Sequence, residues 1–121
     1  MDDMAKYLIL IYGDERQWGA MSPDERQRLD EAHRAFAATA GSAVLDGREL
    51  EPASIATTLR TDATGRITTT DGPFLETKEA VGGYYLIEAA DLDEAIRLVG
   101  NLYEVSAGHS GVEIRPVVDR G

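Results

Sequence analysis

Residues 6–12 read KYLILIY, and the state assigned to this run decides the architecture. It is rich in leucine, isoleucine and tyrosine and too short for an independent helix, so it reads as a strand. Alternation would place Leu8, Leu10 and Tyr12 on one face and Tyr7, Ile9 and Ile11 on the other. Both faces are apolar, a pattern that belongs to a strand covered on two sides. Gly13-Asp14-Glu15 ends the run, and Arg16 to Met21 form a connector that holds the sole tryptophan, Trp18.

Ser22-Pro23-Asp24-Glu25 then opens a helix. Ser22 can accept from a free backbone N–H, Pro23 suits the first helical position, and Glu25 stands three residues on to close a capping box. The acids also face the positive end of the helix dipole. Leu29, Ala32, His33, Phe36, Ala37 and Ala40 recur at helical spacing as one apolar stripe, with His33 its outsider, and Gly41 is the stop. Ala43 to Leu50 reads as a short irregular strand. Ile55 to Thr61 and Arg66 to Thr70 flank the turn DATG as a hairpin. YYLIEA, 84–89, is a further strand. Asp91, with Glu94 as its box partner, starts a second helix whose stripe is Leu92, Ala95, Ile96, Val99 and Tyr103, and Gly100 weakens its last turn. Residues 104–111 read as a loop. Val112 to Val118 is the last strand, and Pro116 marks it as an edge or an end.

The order strand, helix, strands, strand, helix, strand, with YLILIYGD echoed by YYLIEAAD, fits an α+β fold. The specific expectation is a ferredoxin-like, split βαβ antiparallel sheet with two helices on one face and an added hairpin. Two helices cover only one face. The doubly apolar first strand therefore predicts that the other face meets a second copy in a symmetric homodimer.

The 121 residues fit a single domain over 1–121. With no cysteine, disulfides, thiolate nucleophiles and Cys-ligated metal sites are excluded. A net charge of -10, with no local Lys/Arg cluster, argues against nucleic-acid partners. No apolar run approaches the ~18 residues of a membrane span, and two acids precede the first apolar run, the wrong order for a signal peptide. The expected location is cytoplasmic, with no membrane partner.

DGPFLETKEAVGGYYLIEAADLDEA, 71–95, resembles the signature of the YCII-related family in its DGPF branch, and VEIRPV, 112–117, resembles that family's closing strand. YLILIYGDE and the helix carrying His33 and Phe36 are similar to its first half, so the resemblance spans nearly the whole chain. It implies a dimeric α/β-barrel type of assembly. It also implies small lyases and isomerases that use no cofactor, among them a dehydrochlorinase type acting on hydroxylated aromatics, and a His–Asp catalytic pair. Matched here, that pair is His33 and Asp71. Genes of the DGPF branch often stand beside alternative sigma factors, which implies a regulatory or stress setting. Residues 101–109 depart from the family pattern, and no role is carried over to His109.

His33 can exchange protons near neutral pH, and an aspartate on one ring nitrogen would raise the basicity of the other. The blander reading is a half-buried stripe residue bonded to a backbone carbonyl. Asp71 has an equally ordinary reading, in which it accepts a downstream backbone N–H of its own turn. Phe74 reads as a loop anchor before a substrate platform. Lys78 and Arg115 are candidates for binding an anionic substrate, Tyr12 for a pocket wall, and Arg115 is read as facing away from Glu113. Gly82-Gly83 lacks the lysine and helix of a phosphate loop. No ligand spacing supports a metal site. Two functions stand: a cofactor-independent lyase or isomerase acting on a small organic substrate, and a non-catalytic small-ligand-binding or regulatory dimer.

Overall fold

The elements run β1 (Ala5–Gly13), α1 (Glu15–Gly19), α2 (Pro23–Ala40), β2 (Val44–Glu49), β3 (Thr57–Thr61), β4 (Ile67–Asp71), β5 (Ala80–Ala89), α3 (Leu92–Val99), α4 (Tyr103–Ser106) and β6 (Ser110–Pro116). The computed structural model describes residues 4–73 and 79–120. KYLILIY lies inside β1, which is central in a four-stranded sheet of order β2-β5-β1-β6. All its pairings are antiparallel, and the order agrees with the split βαβ expectation. The predicted hairpin is present as a separate two-stranded sheet, β3–β4, closed by Asp62, whose carboxylate accepts from the amides of Thr64 and Arg66.

Register explains the two apolar faces of β1. Tyr7, Ile9 and Ile11 are buried, and on the same face Ile9 stands opposite Tyr85 of β5 and Ile114 of β6. This face takes α2 and α3 through Phe36, Ala95 and Val99, with Ile9, Ile87 and Leu102 fully enclosed. Each such side chain contributes about 1.5–3 kcal/mol by leaving water. Leu8 and Leu10 of the other face pair with Leu86 and Tyr84 and remain half-buried, because no helix of the described residues covers them.

Caps and ends follow local chemistry. Ser22 Oγ accepts from Glu25 N (3.1 Å) and Asp91 Oδ1 from Glu94 N (2.9 Å). Gly41 ends α2 at φ 54°, a conformation that favours glycine. The box expected from Glu25 does not close, since its carboxylate turns to Tyr103 and His109. Glu94 accepts from Ala90 N (3.0 Å).

Several sequence expectations are corrected. Most of the 16–21 connector is the helix α1, which begins at Glu15, and 104–111 holds all of α4 but its first residue, Tyr103, and the start of β6. The α3 stripe is also different: Leu92 and Ile96 are 48% and 50% exposed, and Tyr103 belongs to α4. The cause is that α3 stops at Val99 and the chain turns at Gly100, so Leu102 fills the core position that a longer helix would have given to its own stripe. Glu113 and Arg115, read as facing apart, share one face and form an ion pair, as residues two apart on a strand must.

Candidate functional site

His33 sits in the middle of α2, one turn before the buried Phe36, and so points at the sheet. Tyr85 comes to meet it from β5, because its register opposite Ile9 places it on the helix-covered face. Its ring lies between His33, at 5.8 Å between centroids, and Phe36, at 4.7 Å. Gly47 of β2 makes this possible, since a Cβ there would stand 2.5 Å from Tyr85 Cδ1.

Both ring nitrogens of His33 are engaged. Nδ1 lies 2.7 Å from Tyr85 Oη, and Nε2 lies 2.9 and 2.8 Å from the two oxygens of Glu104. Glu104 comes from α4 and is only 5% exposed. An ionised carboxylate only accepts, so Nε2 carries the proton, which leaves the Nδ1 lone pair to take the Tyr85 O–H. Burial, reinforced by the charge of Glu104, raises the Tyr85 pKa above its ordinary value and keeps the phenol protonated as a donor. The result is a directed chain, Tyr85 to His33 to Glu104, which can take up a proton at Nδ1 and stabilise the imidazolium so formed.

The chain opens on a cavity of about 640 Å³ whose wall includes Ile11, Trp18, Met21 and Leu29 as well as His33 and Tyr85. Such a volume suits a small organic molecule. Arg34 stands at the same cavity beside His33.

A second histidine network stands behind Trp18. Trp18 Nε1 donates to Ser110 Oγ (2.9 Å), Ser110 Oγ lies 2.6 Å from His109 Nδ1, and His109 Nε2 lies 3.1 Å from Glu25 Oε2. Tyr103 Oη also donates to Glu25. That phenol, then His109, holds the Glu25 carboxyl below its ordinary pKa.

The sequence-derived candidates divide. His33 is at the cavity. Asp71 is exposed at the end of β4 opposite Thr57, and the carboxylate on His33 is Glu104 instead. The amide of Gly72 donates to Ala56 O (2.6 Å), and Gly72 has φ 101°, which accounts for the glycine of DGPF. Tyr12 and Arg115 lie on the helix-free face, Arg115 opposite Leu8, and not on the His33 cavity. Phe74 and Lys78 lie outside the described residues. Glu104, Tyr85 and Trp18 were missed. The available signal for Glu104 was a single acid within the apolar run LYEV, 102–105.

The model of the YCII-related domain matches residues 5–119. The chain belongs to the YCII-related family. An uncharacterised protein of Rhizobium meliloti (strain 1021) is 36% identical over 116 residues, covering 92% of this chain and 90% of its own length. The family match therefore runs from the first strand through β6, and the Tyr85–His33–Glu104 chain of this YCII-related domain lies wholly within it. No helix among the described residues is long and apolar enough to cross a membrane.

Proposed function

We propose that this YCII-related protein is a cofactor-independent lyase or isomerase that moves a proton on a small organic substrate. The observation that carries this reading is His33 held between a protonated phenol and a buried carboxylate on the wall of the cavity. His33 acts as general base and then general acid at Nδ1, Tyr85 relays the proton to and from the substrate, and Glu104 holds the tautomer and stabilises the imidazolium. Removing a proton and returning it at another atom is an isomerisation; removing it with loss of a leaving group is an elimination. Both need only this machinery and a dry, shaped cavity.

The working unit is a cytoplasmic homodimer of the DGPF branch, assembled in the manner of a dimeric α/β barrel. Support comes from the half-buried apolar face of β1 and β5, which a second copy would cover. A thermal-shift screen of hydroxylated aromatics and lactones against wild type and His33→Ala identifies ligands. Each hit is then incubated in D2O. Deuterium entering the ligand with wild type but not with His33→Ala is the expected result. Hits that bind both variants and never exchange would sink the catalytic reading and leave a ligand-binding or regulatory dimer, as the neighbourhood of sigma-factor genes in this branch would also suit.

A further inference from the structure

Trp18 is seated with unusual care for a residue on a five-residue helix that has no buried side chain. Its indole lies over two strand glycines. A Cβ on Gly13 would stand 2.2 Å from Trp18 Cζ2, and one on Gly82 would stand 2.5 Å from Cζ3. Both strands thus give up a side chain to let the ring lie flat on the sheet.

The edge of the ring is held by the second histidine network, and its hydrogens run one way. The Glu25 carboxylate only accepts, so His109 carries its proton on Nε2, and His109 Nδ1 accepts the Ser110 hydroxyl. A lone pair of Ser110 Oγ receives the indole N–H at 2.9 Å, so one hydroxyl links the imidazole to the indole. Ser110 and His109 line a smaller cavity of about 190 Å³, whereas Trp18 lines the 640 Å³ cavity of His33. The indole is thus a wall of the larger cavity, held by its N–H to a residue that lines the smaller one. The network also ends on α4, where Tyr103 holds Glu25 and its neighbour Glu104 holds His33.

We propose that Ser110 and His109 are positioning residues for Trp18, and that Trp18, so placed, sets the size limit for ligands of the His33 cavity. This deepens the reading of that cavity as a ligand site. It does not depend on His33 catalysis.

Trp18 is the sole tryptophan, so tryptophan emission, excited beyond the tyrosine band, reports this wall alone. The comparison is between wild type, Ser110→Ala, Ser110→Thr, His109→Ala and His33→Gln, with far-ultraviolet circular dichroism confirming the fold of each. The expected result is a red-shifted emission and steeper quenching by acrylamide in Ser110→Ala and His109→Ala. Recovery is expected in Ser110→Thr, which keeps the hydroxyl, and no change in His33→Gln. Gly82→Ala, which pushes the ring from its other side without touching the network, gives the same red shift should either deletion fail to fold. Wild-type spectra in Ser110→Ala and Gly82→Ala alike would overturn the positioning role. For the size limit the probes are phenol and 1-naphthol, read by thermal shift. A larger stabilisation by 1-naphthol in Ser110→Ala than in wild type is expected, and equal shifts in the two proteins, zero included, overturn it. If deuterium exchange never appears but these shifts do, the catalytic reading falls and the wall stands.

Discussion

A histidine bonded at both nitrogens has its tautomer chosen by whichever partner cannot donate, and at His33 that partner is Glu104. Glu104→Gln keeps the shape and removes the charge, so the imidazolium formed at His33 loses its counter-ion. Deuterium exchange into a bound ligand should fall by about 10²-fold or more, the scale of a disabled acid–base group. Glu104→Ala also leaves a half-buried N–H without its acceptor, and chemical denaturation should register a loss of about 1–3 kcal/mol. Unchanged exchange in Glu104→Gln would remove Glu104 from the mechanism. His33 was legible because a polar residue in an apolar helical stripe stands out in one dimension. Glu104 was not: its burial depends on α4 folding back beneath α2, a contact between residues 71 positions apart that no local pattern records. Asp71 was favoured because a motif carries it, and a turn motif reports backbone demand, here met by Gly72, as readily as chemistry.

Elements whose ends are set by side chains close in sequence were the legible part of the fold. Ser22 and Asp91 were identified as caps, and each accepts the amide three residues on. Ser22→Ala and Asp91→Ala should each lower stability by about 1 kcal/mol in denaturant unfolding. The two caps share no partner, so the double variant should lose close to the sum. A loss near zero in either would mean that water replaces the cap at no cost. What local pattern could not supply was where a helix yields to tertiary packing. The stripe written through Leu92, Ile96 and Tyr103 assumed that α3 continues, whereas Leu102 enters the core by a turn at Gly100 and leaves Ile96 half in water. Likewise the connector around Trp18 holds no helical stripe. Its short helix forms because Asp14 caps it from outside, accepting the Arg16 amide at 2.9 Å, and because the indole finds a bed of two glycines.

At the scale of the molecule the unanswered surface is the sheet face away from the helices. Leu8, Leu10, Tyr12, Tyr84 and Leu86 lie there half-buried across two central strands. The charges around them balance. Lys6 stands opposite Glu88, Arg115 pairs with Glu113, and Arg48 pairs with Asp46 at 2.8 Å. A chain of net charge -10 thus carries its acid excess elsewhere, and two copies of this face can approach without like-charge repulsion. An apolar centre with a neutral, paired rim also suits a two-fold contact, in which one patch must complement itself. We expect wild type to sediment as a homodimer whose thermal midpoint rises with protein concentration, as linkage to association requires. Leu10→Glu places a charge at the centre of that face, opposite Tyr84 and Glu113, without touching the helix-covered core. It should sediment as a monomer with an unchanged far-ultraviolet spectrum and a midpoint independent of concentration. Wild type that already sediments as a monomer, or a Leu10→Glu variant that still dimerises, would show that the second apolar face of KYLILIY has some other cover.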